Sequence, residues 1–186
     1  MMKSVIIAIR PQWVEKIANG EKTIEVRKTA PKEVPFKAYI YCTKEKKQDD
    51  IIWAGIFGDR GKWNGRVIGE FICNNASELD YVYYWNNGYE FATCLTYRQV
   101  ADYGKGKTLY GWHISELKIY DKPKELSEFK TPSCEKSEKA CGNCKWLVKI
   151  NTPDVYECEC YVEDGRPIKR PPQSWCYVEE LQRKEE

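Results

Sequence analysis

The first part of the chain alternates between short apolar runs and runs of mixed polarity. SVIIAI (residues 4–9) has five apolar residues in a row after Ser4, which predicts a strand. RPQWVEKIANG (residues 10–20) has apolar residues at helical spacing, a proline suited to a first turn and a terminal Asn-Gly, so it predicts a short helix that stops at Gly20. IEVR (residues 24–27) alternates between apolar and charged residues, which predicts a strand with one polar face.

That polar face carries a carboxylate beside a guanidinium. Glu25 and Arg27 fall on the same side of the strand, because residues two apart in a strand share a face. Lys22 has the opposite parity, but it lies at the strand entry, where the bend at Gly20 turns its ammonium toward the same space. The sequence therefore predicts a cleft shared by Lys22, Glu25 and Arg27. The alternative is a solvated surface ion pair, which contributes about 0–1 kcal/mol and has no functional role.

The order of elements around this run supports the first interpretation. Strand-like runs follow at FKAYIYC (residues 36–42), RVIGEFIC (66–73) and LYGWHISELKIYD (109–121). With the Gly-x-Lys-x-x-Glu-x-Arg run from Gly20 to Arg27, this order resembles the ASCH domain of the PUA-like superfamily over about residues 3–130. The resemblance implies an α+β fold, namely a small PUA-like β-barrel with short flanking helices, in which the motif lines a cleft.

His113, in GWHIS, is the only histidine of the chain. A single histidine without a matching pattern of nucleophile and orienting acid gives no basis for assigning a catalytic triad. Since alternation sets it opposite Trp112, we interpret it either as a polar, ligand-binding group of the cleft or as a hydrogen-bonded structural residue.

Two aromatic stretches are further candidates for ligand contacts. Residues 45–65 predict a long excursion from the barrel, which is either a functional lid or a covering flap. Residues 81–91 contain six aromatic side chains, which either stack on bases or fill the core.

Composition limits the classes of partner. The chain has 186 residues, 31% of them charged, and no apolar run long enough to cross a membrane. A net charge of +2 argues against strong non-specific binding of nucleic acid, but a pocket for one nucleotide or a short single strand needs much less charge. The N-terminal run has a short apolar core and does not match a signal peptide, so we expect a cytoplasmic protein with reduced thiols.

Cysteines concentrate in the last part of the chain. Six of the nine follow Thr131, and five form a pattern typical of metal ligands: Cys141, Cys144, Cys158, Cys160 and Cys176. The prediction is one tetrahedral zinc bound by Cys141, Cys144, Cys176 and either Cys158 or Cys160, with Cys134 as the spare. An iron–sulfur cluster on the same thiolates and metal-free cysteines are the alternatives. The run KTPS (residues 130–133) then separates a domain at 1–130 from a loop-rich, metal-tied tail at 131–186.

Three functions are compatible with these features. The leading hypothesis is a module that recognises RNA or a modified nucleoside or nucleotide, in which Lys22 and Arg27 bind phosphate or carbonyl oxygens and Glu25 accepts a base-edge donor. The resemblance also implies a hydrolase of a modified nucleoside (amidohydrolase-like) or of RNA. Glu25 stands where the amidohydrolase branch has threonine, so it would act as a general base on water, with Lys22 stabilising the oxyanion. The third hypothesis is a protein-interaction adaptor that docks through the Cys-rich tail.

Overall fold

The computed structural model describes residues 2–44, 63–79, 84, 88–132, 147–151, 155–158 and 167–181. The strands within these ranges are β1 Lys3–Ile9, β2 Ile24–Arg27, β3 Phe36–Cys42, β4 Val67–Cys73, β5 Ala76–Glu78, β6 Tyr110–His113, β7 Ser115–Lys124, β8 Leu147–Asn151, β9 Val155–Cys158 and β10 Trp175–Val178. The helices are α1 Pro11–Ala18, α2 Tyr89–Thr93, α3 Tyr97–Gly104 and a 3-10 helix at Leu126–Glu128.

The main sheet has five strands in the order β10-β1-β3-β4-β7. β1 and β3 run parallel, and the other neighbours are antiparallel. β1 and β3 are buried along almost their whole lengths because both faces of the sheet are covered, which agrees with their largely apolar sequences.

The smaller sheet has three strands in the order β2-β6-β5 and packs against one face of the main sheet. Between them lies an inner core to which β6 contributes Trp112, whose ring meets Phe36 edge to face at a centroid distance of 5.0 Å. The buried members of the inner core are Val5, Ile7, Ile9, Val14, Ile17, Phe36, Ala38, Ile40, Cys42, Ile68, Phe71, Cys73 and Trp112.

An outer core covers the opposite face of the main sheet. Its buried members are Ile6, Ala8, Tyr39, Tyr41, Val67, Leu126, Phe129, Ile168 and Val178. The rings of Tyr39 and Phe129 meet edge to face at 4.9 Å. Residues 167–181, which the sequence assigns to the tail, thus add a strand to β1 and two side chains to this core.

The predicted α+β class, with strands in mixed sheets and a few short helices, is confirmed. α1 has proline in its first turn as expected, and Thr96 and Gln99 form a reciprocal capping box at the start of α3. Residues 45–62 and most of the stretch 81–91 lie outside the described residues; Tyr84 is buried and hydrogen-bonded to Thr93. Among the helices that the structure describes, none has the length and apolarity to cross a membrane.

The difference in burial between Phe129 and Phe91 predicts that they contribute very differently to stability. Phe129→Ala removes a fully buried ring from the outer core and should lower the free energy of unfolding by about 3–5 kcal/mol. Phe91→Ala is the matched control: this ring is 82% exposed, so the change should stay within about 0.5 kcal/mol. Urea denaturation of both variants tests the assignment, and equal losses would contradict it.

Candidate functional site

The turn after α1 places Lys22 where the sequence predicts it. Gly20 has a φ of 77°, a left-handed conformation that glycine adopts without strain, and its amide donates to the carbonyl of Ile17. The amide of Lys22 then donates to the carbonyl of Lys16 at 3.0 Å. This bend folds the chain back over the end of α1 before β2 begins, so the Lys22 side chain enters the protein instead of solvent.

Lys22, Glu25 and Arg27 form one buried ionic cluster. The Glu25 carboxylate lies between the two cations, with one oxygen 3.3 Å from the Lys22 ammonium and the other 3.0 Å from the Arg27 guanidinium. The three residues are only 2%, 7% and 6% exposed. A solvated surface ion pair, the alternative considered from the sequence, would be exposed to water, so it does not describe this cluster. We call these three residues the charged triad.

The outer ends of the charged triad are held by backbone carbonyls. The Lys22 ammonium donates to the carbonyl of Thr93 at 2.6 Å and lies 5.5 Å from the centre of the Trp13 ring. The Arg27 guanidinium donates to the carbonyl of Ala8 at 2.8 Å. Buried cations need such partners, because several kcal/mol of hydration is lost when each is taken out of water.

Thr93 is itself fixed by its neighbours. Its hydroxyl shares a hydrogen bond of 2.5 Å with the Tyr84 hydroxyl and accepts from the amide of Leu95 at 3.2 Å. Burial raises the pKa of Tyr84 above its ordinary value, because the phenolate form would lose its hydration. The carbonyl that receives Lys22 is therefore held in place from two sides.

The charged triad lines a cleft of about 530 Å³, within the range of small-ligand sites. The remaining lining residues are Ala8, Ile9, Arg10, Gln12, Trp13, Val26, Thr43, Leu95, Gln99, Asp102, Tyr103 and Gln173. A larger depression of about 840 Å³ opens elsewhere, beside Lys3 and Lys37. Its ion pairs Lys3–Glu33 and Lys37–Glu180 include exposed carboxylates, so we consider the smaller cleft, with buried charges in its wall, the better candidate site.

Comparison with known proteins supports the resemblance at the level of fold. No protein-family model matches the chain, and no curated protein matches it. The solved structure of ASCH from Zymomonas mobilis matches 96% of this chain and 89% of that chain at 18% identity, with a TM-score of 0.56. Two mutants of the same protein match at 17% and 16% identity, with TM-scores of 0.56 and 0.55; each covers 96% of this chain, and 89% and 91% of theirs. The chain has the ASCH fold.

At such identities the likeness concerns the fold alone. The structural match nevertheless covers 96% of the chain, which is more than the residues of about 3–130 over which the sequence resembles the ASCH domain. This agrees with the position of β10, which is a strand of the main sheet.

The ASCH fold does not bring His113 to the charged triad. In the β2–β6 ladder Glu25 lies opposite Trp112, and Ile24 lies opposite His113. Because opposed residues share a face and neighbours alternate, His113 belongs to the other face of the small sheet. It is also absent from the described residues that line the cleft. The structure thus places His113 away from the charged triad, and a ligand-binding role for it stays a prediction.

Most of the predicted metal ligands lie outside the residues that the structure describes. Cys134, Cys141, Cys144 and Cys160 lie outside the described residues, and Cys158 ends β9. Cys176 lies in β10 and packs against the outer core, where burial raises the pKa of its thiol. In the described part of the chain, no group of three or more His, Cys, Asp or Glu side chains is arranged to hold a metal ion.

The burial of the charged triad predicts a strong effect of removing its anion. Glu25→Gln leaves two buried cations without their shared carboxylate and should cost about 3–5 kcal/mol of stability. Glu21→Gln is the matched control, because Glu21 pairs with Lys16 on the exposed surface and its loss should leave the urea midpoint unchanged. Equal midpoints for both variants would mean that the triad is solvated.

Proposed function

We propose that this protein binds a nucleotide or a short single-stranded RNA in the cleft beside the charged triad. The observation that carries the proposal is the charge of that cluster. Two cations and one carboxylate leave a net charge of +1, buried in the wall of a cleft of ligand size. A phosphate group would balance this charge, since an anion near a partly desolvated cation interacts far more strongly than in water.

The donors that remain support an anionic ligand. An ammonium has three N–H groups, and the described contacts of Lys22 use two of them, to Thr93 and to Glu25. Both oxygens of Glu25 already contact a cation. We therefore assign Glu25 the role of balancing and orienting Lys22 and Arg27, in place of the base-reading role that the sequence suggests.

Aromatic side chains in the cleft fit a ligand that carries a base. Trp13 and Tyr103 both line it, and base–aromatic stacking contributes about 1–3 kcal/mol per base in single-strand binders. The Lys28 ammonium lies 4.7 Å from the centre of the Tyr103 ring, at the side of the same opening. Phosphate and base would thus be bound by different parts of one cleft.

The hydrolase hypothesis receives less support from the same geometry. A general base must lie within hydrogen-bond reach of the water it activates, and both oxygens of Glu25 already contact a cation. The adaptor hypothesis depends on the Cys-rich tail, most of which lies outside the described residues. Binding without catalysis is therefore the function we favour.

The tail remains a proposed metal site, with zinc as the first candidate and an iron–sulfur cluster as the second. One register supports it: Leu147 at the start of β8 lies opposite Cys158 at the end of β9, and β8 begins three residues after Cys144. Cys176 is a less suitable ligand than the other cysteines, because it packs against the outer core as part of β10. We accordingly assign the four ligands to Cys141, Cys144, Cys158 and Cys160.

The binding proposal predicts a salt-dependent interaction with RNA. A fluorescent oligoribonucleotide of about ten residues should bind, and Arg10→Ala should weaken binding and reduce its salt dependence by about one unit of slope. Arg10 is suitable because it is exposed and lines the cleft, so its removal leaves the core intact. Lys22→Ala should weaken binding more, provided that circular dichroism shows a folded protein.

Lys118→Ala is the matched control for this experiment. Lys118 is exposed on β7 and does not line the cleft, so its loss should leave affinity nearly unchanged. Equal losses for Arg10→Ala and Lys118→Ala would indicate diffuse electrostatic attraction. Absence of binding to oligonucleotides and to free nucleotides would overturn the proposal.

The metal proposal predicts one zinc ion per chain by elemental analysis of the purified protein. Cys141→Ser and Cys160→Ser should each abolish it, because tetrahedral zinc sites lose most of their affinity with one thiolate. Cys176→Ser should retain the metal, since that thiol packs against the outer core. Iron with visible absorption would support the cluster instead, and neither metal would refute both assignments.

A further inference from the structure

The geometry points to a composite cleft that the C-terminal segment completes, with Gln173 as a residue that contacts the ligand and determines base specificity. This inference rests on the proposed function. Gln173 lines the cleft together with the charged triad, although it lies about 150 residues further along the chain. The sequence gives no local sign of this role, because Gln173 belongs to a loop-rich stretch beyond the ASCH-like region.

Residues 173 and 174 are held between two buried anchors. Upstream, Ile168 packs in the outer core and its amide donates to the carbonyl of Phe129 at 2.8 Å. Downstream, Val178 packs in the same core, and β10 pairs with β1. Pro171 and Pro172 lie between these anchors and restrict the backbone further, because each proline fixes its own φ. The segment is therefore a built wall of the cleft.

One residue of β1, Ala8, joins this wall to the charged triad. The amide of Ala8 donates to the carbonyl of Ser174 at 2.8 Å, and the carbonyl of Ala8 accepts from Arg27 at 2.8 Å. The Arg27 guanidinium also donates to the Ser174 hydroxyl at 3.4 Å. Docking of the segment thus positions Arg27 as well as Gln173, and Ser174 acts as a positioning residue.

The chemistry of Gln173 indicates what it recognises. Its amide offers a donor and an acceptor side by side, which matches the edge of a nucleobase, where donors and acceptors also lie side by side. Gln173 is exposed in the cleft, with no hydrogen bond from its side chain among those described. The phosphate would be held by Lys22 and Arg27, and the base edge would be read by Gln173.

The test measures affinity for three homopolymers, oligo(A), oligo(C) and oligo(U), in the full-length protein. Gln173→Ala should reduce affinity for the tightest homopolymer by roughly 2- to 10-fold, the effect of one lost hydrogen bond, and leave the weakest nearly unchanged. The ratio of the affinities for the tightest and the weakest homopolymer therefore falls. A purely structural role of Gln173 would not produce this change. Gln173→Asn keeps the amide and should restore part of the ratio.

Ser174→Ala provides the second measurement. Because it acts through Arg27, it should weaken all three homopolymers by the same factor and leave their ratio unchanged. Ser127→Ala removes an exposed serine hydroxyl outside the cleft lining and is the matched control with no expected effect.

The outcomes separate the two proposals. A wild-type protein that binds neither a homopolymer nor a free nucleotide overturns the proposed function and this inference with it. One that binds free nucleotides but no homopolymer overturns only the inference. A wild-type protein that binds all three with an unchanged ratio in Gln173→Ala overturns only the inference.

Discussion

A carboxylate held between two buried cations is the interaction on which this end of the molecule depends. Moving any one of these charges out of water costs several kcal/mol, and the cost is offset only if the partners stand in the correct positions. Glu25 contacts both cations at 3.3 and 3.0 Å, and one backbone carbonyl accepts a further hydrogen bond from each of them. A shift of any contributing element would leave a buried charge without a partner.

The same requirement connects parts of the fold that lie far apart in the sequence. Lys22 reaches the end of α2 through the carbonyl of Thr93, and Arg27 reaches β1 through the carbonyl of Ala8. Ala8 in turn holds Ser174 ahead of β10. Polar networks of this kind do not add stability by themselves, but they select one arrangement of the elements, because any other leaves charges unsatisfied. We infer that this selection is the reason why an ionic cluster occupies this position, where well-packed apolar residues would give equal or greater stability.

Local patterns were enough to predict part of the site. Strand parity puts Glu25 beside Arg27, and the glycine bend brings Lys22 to them. The partners of the triad could not be predicted, because Thr93 lies 71 residues from Lys22 and Ser174 lies 147 residues from Arg27, and no local periodicity encodes such pairings. His113 shows the same limit: its face depends on the register of β6 against β2, which alternation within β6 alone cannot give.

One feature of the sequence could have indicated the C-terminal strand β10. β1 is continuously apolar, and without β10 it would form an exposed edge of the main sheet, a position that proteins usually cover. A covering strand was therefore to be expected, but WCYV is too short to be recognised by alternation, and the cysteine and proline content around it suggested a separate tail. The burial of Ile168 and Val178 in the outer core shows that these residues complete the domain instead.

The distribution of charge bears on the kind of binding that such a site permits. The whole chain has a net charge of only +2, so long-range attraction of a polyanion is weak. The charged triad accounts for a net charge of +1 at one buried position. The attraction between two opposite unit charges 4 Å apart is about 1 kcal/mol in bulk water but about 4 kcal/mol at the effective dielectric constant near a protein surface. Under the proposed function, discrimination therefore comes from seating one phosphate in the cleft, whose lining also includes the aromatic and amide side chains of Trp13, Tyr103 and Gln173.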